Sequence, residues 1–237
     1  MTSLVTRCQY EVSTRLSDYP LFDRLRARSA AKRVTGQTDI VIEGFPRSAN
    51  SFSVAAFQLA QPTPVEIADH LHLPLQIREG VRLNKPVIAL IRTPIDAVVS
   101  LHIREPYISL RQGLLAYRVF YRSIAQLSDR FVIATFDEVT SDFGRVIERV
   151  NQRFGSNFTP FDHTTENVEL VWQKIEAGQA ARKWSAQEVE RKATYPVEGR
   201  KSIAAELKDE LQSSRYQSAV RQARQIYEQF LELRSSQ

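Results

Sequence analysis

Apolar positions along the chain follow two rhythms. Short runs rich in β-branched residues, such as Ile40-Val41-Ile42 and the continuous Pro86–Ile91 (PVIALI), read as strands, the second of the kind buried on both faces of a parallel sheet. Between them, apolar residues recur every three or four positions, as helices require. Phe52, Ala55, Ala56, Leu59 and Ala60 form one such face, stopped by Gln61-Pro62. Val65–Leu71 (VEIADHL) is a second short strand, and Leu73–Leu83 a helix weakened in its middle by Gly80. Thr93 is a good N-cap, with Pro94 in the first helical position and Asp96 at N3, so a helix begins directly after Arg92. Tyr107–Ser128 reads as one long amphipathic helix, Arg130–Phe136 as the fourth strand, and Ser141–Phe154 as a helix closed by Gly155. The alternation predicts an α/β three-layer sandwich: a central parallel sheet of about four to five strands with helices on both faces. Beyond residue 160 the pattern is helical, with a stretch ending at Gly178, a polar segment from Trp184, and a terminal amphipathic helix over Arg215–Leu233. Gly199-Arg200-Lys201-Ser202 reads as a turn carrying two cations just before a helix. Residues 1–237 are read as one domain: an N-terminal helical extension (1–38), an α/β core (39–155) and a helical C-terminal part (156–237).

The core is organised around Asp39–Ala60, a strand, a turn punctuated by Gly44 and Pro46, and a helix. The unpaired N–H groups of a helix's first turn, together with its dipole, make this arrangement a common cradle for phosphate-like anions. The register resembles the nucleotide-phosphate loop G-x-x-x-x-G-K-[ST]. Here, however, Ala49 replaces the second glycine and Asn50 stands in the lysine position. The cation lies three residues earlier, at Arg47. Without the lysine the loop is a poor one for hydrolysing a nucleoside triphosphate, but it can cradle a 5′-phosphosulfate.

Composition narrows the classes. The chain has 237 residues, 43% hydrophobic and 25% charged, as in ordinary globular proteins. A net charge of +5 and a pI of about 9.4 suit anionic ligands without demanding nucleic acid, and no nucleic-acid partner is expected. One cysteine, Cys8, excludes an internal disulfide framework and a multi-thiolate metal site. The absence of a long apolar run or secretory signal reads as a cytoplasmic protein. Arg24–Arg33 packs five basic residues into ten. Peripheral contact with an anionic surface is the functional reading of that cluster. Missing aromatic interleaving favours the plainer one, a solvated face of an amphipathic helix closed by Gly36.

Three separated pieces, in order, resemble the PAPS-dependent sulfotransferases, which transfer the sulfuryl group of 3′-phosphoadenosine 5′-phosphosulfate (PAPS). The family's loop (Y/F)-P-(K/R)-S-G-(T/N)-(T/S) stands here as Phe45-Pro46-Arg47-Ser48-Ala49-Asn50-Ser51. Its strand-ending arginine, with a serine eight positions on, stands as Arg92 and Ser100. The strand ending Y-E-D-L is matched by Phe136-Asp137-Glu138-Val139, and more weakly a late R-K-G turn by Arg200-Lys201-Ser202. The match covers about residues 39–155 well and 195–233 loosely. Ala49 for glycine, Phe136 for tyrosine and Ser202 for glycine depart from the pattern.

The resemblance implies a P-loop-like sulfotransferase fold, PAPS as donor, 3′,5′-adenosine bisphosphate as leaving product and no metal requirement. It implies that Pro46, Arg47, Ser48, Ala49, Asn50, Ser51 and Phe52 surround the 5′-phosphosulfate, with Arg47 countering charge on the bridging oxygen. Arg92 and Ser100 would grip the 3′-phosphate, with Arg200 and Lys201 beside them and Phe136 near the nucleotide. For the base that deprotonates the acceptor hydroxyl, two histidines compete. The family's cytosolic members place theirs 22 residues before the motif arginine, which selects His70 and is given precedence here. The local string H-L-P selects His72. At i and i+2 on a strand, both would face one cleft. His102 and His163 lack such context. The acceptor is a hydroxyl of a glycan, lipid or small metabolite, its pocket expected from residues 100–130 and 156–194, with Trp172, Trp184 and Tyr195 as wall or lid candidates. A P-loop kinase using ATP–Mg, with Asp137 as metal carboxylate, and a non-catalytic nucleotide-binding protein of the same fold are the alternatives.

Overall fold

The computed structural model describes residues 10–12, 14, 32–180, 184–193 and 199–237. Tyr195 and all but the last two residues of Arg24–Arg33 lie outside them. Four strands, β1 (Ile40–Gly44), β2 (Ile67–Asp69), β3 (Val87–Ile91) and β4 (Val132–Thr135), form one parallel sheet in the order β2-β1-β3-β4. Helices follow in chain order: α1 (Asn50–Ala60), α2 (Pro74–Arg82), α3 (Pro94–Arg104), α4 (Leu110–Arg122), α5 (Phe136–Ser141), α6 (Phe143–Phe154), α7 (Thr165–Ala180), α8 (Ala186–Lys192), α9 (Arg200–Gln212) and α10 (Gln217–Ser235). A 3₁₀ turn, Ala125–Arg130, precedes β4.

The period-two alternation of the strands sorts the core into two layers. Val41, Ala89, Ile91 and Ile133 face α2, α3, α4 and α10. Ile40, Ile42, Ile88, Leu90, Val132 and Ala134 face α1, α5, α6 and α7. Burial on both sides is why the strands read as unbroken apolar runs. Gly80, which weakens α2 in isolation, lets that helix settle on the sheet, since a Cβ there would press 2.8 Å from the Val41 and Val87 methyls. Gly44 brings β1 against β3 so closely that a Cβ would collide with the Leu90 carbonyl.

Four boundaries differ from expectation. The long helix stops at Arg122, where Ser123 caps it, and continues as the 3₁₀ turn. Phe136 opens α5 instead of ending β4, because Thr135 and Glu138 form a capping box at that point. Arg200-Lys201-Ser202 forms the first turn of α9, not a separate turn before it. Strand β2 ends at Asp69, since His70 and His72 take left-handed φ values of 56° and 52°. The two histidines are therefore loop residues and do not share a strand face.

Sheet order places the site. The chain leaves β1 for β2 on one side and returns to β3 on the other, so the crevice at the carboxyl ends of β1 and β3 is a topological switch point. The loop of Phe45–Ala49 and Arg92 both emerge there.

Candidate active site

The loop after β1 is held by its own backbone and side chains. Arg47 and Ala49 adopt φ 71° and 69°, the second as N-cap of α1. A left-handed alanine costs about 1 kcal/mol where glycine costs nothing, which is why the loop tolerates Ala49 only as a strained residue. Asn50, in the position of the phosphate-gripping lysine, is buried and donates through Nδ2 to the Phe45 carbonyl at 3.1 Å. Its side chain closes the loop. Ser48 is buried and is not among the residues lining the cavity.

A cavity of about 900 Å³ opens beside this loop. Pro46, Arg47, Ala49, Asn50, Ser51 and Phe52 line one side of it. His70 and His72, from the β2–α2 loop, stand on another. Arg92, Ser100 and Phe136 arrive from the ends of β3 and β4 and from α3, and Arg200 and Lys201 from the start of α9. Residues scattered over 155 positions of sequence thus meet at one sheet edge.

Arg47 is the electrostatic centre. Its Nε donates to Ser100 Oγ at 2.9 Å and a terminal nitrogen to the Ala193 carbonyl at 3.3 Å. Burial first, then repulsion from Arg104, Arg200 and Arg92, lowers its pKa to about 9, and Glu105 only partly offsets this. Arg92 donates to the Arg47 carbonyl at 3.1 Å and lies 3.9 Å over the Phe136 ring. Phe136 thereby supports the guanidinium through its face, a role a phenol hydroxyl is not needed for. Burial also lowers the Arg92 pKa, against the attraction of Asp96 and Asp137. Tyr117 fixes the strand end itself by donating to the Arg92 carbonyl at 2.7 Å.

The two histidines are held differently. His70 Nδ1 lies 2.5 Å from Asp69 Oδ1, and its Nε2 lies 3.1 Å from Ser51 Oγ. Lys32 braces the same Asp69 oxygen at 2.7 Å. Burial of Asp69 opposes its ionisation, but its bonds to His70 and Lys32 prevail and hold the carboxyl below its usual range. His72 Nδ1 lies 3.0 Å from the Gly44 carbonyl and 3.4 Å from Glu43 Oε1. Since a carbonyl can only accept, Nδ1 carries the proton and Nε2 of a neutral His72 holds the lone pair. The rings are 5.9 Å apart.

Several residues here went unread in the sequence. Glu43, Asp69 and Arg104 shape the site, and α8 closes it, with the Lys192 carbonyl accepting from Arg104 and the Ala193 carbonyl from Arg47. The available signals were an acid inside an apolar strand (IVIEG) and an Asp-His pair. Trp172, on α7, packs 5.2 Å from Phe52 and lines the cavity, whereas Trp184 lies 5.9 Å from Arg104. His102 binds the Ile108 carbonyl, and His163 accepts from the Phe143 N–H and donates to the Thr140 carbonyl, so both serve the scaffold. Among the described residues, no group of three or more His, Cys, Asp or Glu is arranged to hold a metal ion. No helix among them is long and apolar enough to cross a membrane.

No protein-family model and no curated protein matches the chain. A solved structure that does match is that of mouse sulfotransferase SULT7A1 complexed with PAP, at 13% identity and a TM-score of 0.36, covering 80% of this chain and 89% of that one.

Proposed function

We propose that the protein is a sulfotransferase that moves the sulfuryl group of PAPS to an acceptor hydroxyl of a glycan, lipid or small metabolite. The observation that carries this reading is the bond from Arg92 to the Arg47 carbonyl. It joins the anion loop after β1 to a second cation after β3, as a ligand with phosphates at both its 5′ and 3′ positions requires. The residues fit such a ligand: unpaired N–H groups of the α1 first turn, and Arg47 crowded by like charges that an anion would relieve. The kinase reading is disfavoured because Asn50 is bonded into the loop and offers no cation to a triphosphate.

Bound there, PAPS supplies the sulfuryl group and leaves as the bisphosphate. The N–H groups of the α1 first turn hold the 5′-phosphate. Arg47 counters the charge that grows on the oxygen between sulfur and phosphorus. Arg92 binds the 3′-phosphate with Ser100, whose oxygen accepts from Arg47 and whose proton remains to donate. The acceptor oxygen attacks sulfur as the sulfur–oxygen bond to the bisphosphate breaks, and the acceptor proton passes to His72 Nε2. His72 suits this task better than His70. The Gly44 carbonyl fixes its tautomer, while both nitrogens of His70 are engaged, Nδ1 donating to Asp69 and Nε2 accepting from Ser51. His70 therefore anchors Ser51, and with it the first turn of α1, beside the loop.

Sulfuryl transfer from radiolabelled PAPS to a hydroxyl library, with calorimetry of bisphosphate binding, tests the assignment. His72→Ala should lower transfer about 10²–10⁴-fold with bisphosphate affinity unchanged. His70→Ala should chiefly weaken bisphosphate binding. The reverse pattern would exchange the two roles, and equal mild effects would remove histidine as the base.

A further inference from the structure

Glu43 is fully buried in β1, an acid among apolar neighbours, at the strand end nearest the cavity. Its Oε1 accepts the Gly44 N–H at 3.0 Å, and its Oε2 accepts the N–H groups of Leu71 and His72 at 2.9 and 3.1 Å. The same carboxylate stands 3.4 Å from His72 Nδ1, and the His72 side chain keeps 29% of its surface exposed toward the cavity. Two left-handed residues, His70 and His72, occupy this loop, a conformation costing of order 1–3 kcal/mol each that persists only where surroundings impose it. Glu43 imposes it from the adjacent strand, by accepting the consecutive N–H groups of Leu71 and His72 within the bend.

We infer that Glu43 is the positioning residue of His72: it clamps the loop that presents the imidazole, joins the Gly44 carbonyl in keeping Nδ1 protonated, and stabilises the imidazolium formed when Nε2 takes the acceptor proton. A carboxylate behind a catalytic imidazole favours one tautomer and the charged product of proton transfer. This inference rests on His72 being the base. The groups facing His72 are Glu43 from β1, Arg104 from α3 and the His70 ring from its own loop. Burial and Arg104 disfavour the imidazolium, yet the bond to and charge of Glu43, with the Gly44 carbonyl, outweigh them and raise the His72 pKa.

The test is NMR titration of the His72 ring in the ligand-free protein, wild type against Glu43→Gln. The pKa should fall by about 1–2 units in the variant. With PAPS and an acceptor, the acidic limb of the transfer rate should move to lower pH by the same amount and kcat should fall, while bisphosphate Kd stays within about twofold. An unchanged ring titration would reduce Glu43 to a backbone clamp and overturn the inference. Should Glu43→Gln fail to fold, the wild type decides alone: the Gly44 carbonyl suffices for an Nδ1–H tautomer, so the ring must in addition show a pKa above the ordinary histidine value. An Nε2–H tautomer or an ordinary pKa would refute it. The titration needs no turnover, so failure to sulfate any acceptor would count against the proposed function and not against the Glu43–His72 coupling.

Discussion

Replacing Arg47 with methionine should make the ligand-free protein more stable while removing its affinity for the donor. The side chain keeps its aliphatic stem but loses a cation that burial, Arg104, Arg200 and Arg92 all oppose. Its pKa falls from the ordinary arginine range to about 9, and a shift of that size corresponds to an upper bound of about 5 kcal/mol stored against the charged form. The group is depressed in the folded state, so the cost is fully present below pH 9 and is relieved as pH rises from there toward the unfolded value. Against it stand the bonds to Ser100 Oγ and the Ala193 carbonyl, together about 3 kcal/mol at the low end for two charge-assisted contacts. A net gain of up to about 2 kcal/mol is therefore expected from urea unfolding at pH 7 in a buffer without multivalent anions. Adding 3′,5′-adenosine bisphosphate should reverse the order, stabilising wild type by the binding free energy and the variant far less. A variant less stable than wild type in anion-free buffer, or equal stabilisation of both by the bisphosphate, would refute the idea that Arg47 is strained for the sake of an anion.

The division of labour between the two phosphate grips is open to test as well. Arg92→Ala should weaken the bisphosphate about 10- to 100-fold, the worth of a charge-assisted bond, yet leave 5′-AMP affinity nearly unchanged, as calorimetry can show; equal losses for both ligands would remove Arg92 from the 3′-phosphate. Ala49→Gly should stabilise the protein by up to about 1 kcal/mol in chemical denaturation, since the N-cap is left-handed at φ 69°; destabilisation would mean that the methyl's packing matters more than the strain.

The sheet was largely readable because each strand is buried on both faces and so appears as an apolar run, and because Thr93-Pro94 and Gly155 mark helix ends in a local code. Boundaries set by tertiary contacts were less readable. Nothing in VEIADHL announces that Glu43, 28 residues upstream of Leu71, bends the loop at His70 and His72. The same holds for α8. Its sequence is polar and of ordinary helical composition, and only the fold reveals that its last carbonyls meet Arg47 and Arg104. Among the site positions, Arg47, Arg92 and Ser100 could be named from spacing, because a strand end and two helical turns fix where such residues emerge. The side-chain orientations of Ser48 and Asn50 were not legible for the converse reason: motif position does not say that Ser48 is buried or that the Asn50 amide turns inward to the Phe45 carbonyl.

The central claim is that one site grips a ligand by phosphates at both its 5′ and 3′ ends. Calorimetric titration of the wild-type protein with 3′,5′-adenosine bisphosphate and, separately, with ATP–Mg²⁺ tests it most directly. The bisphosphate should bind at least tenfold more tightly than ATP–Mg²⁺, with one site per chain. Tighter binding of ATP–Mg²⁺, or no difference between the bisphosphate and 5′-AMP, would contradict it.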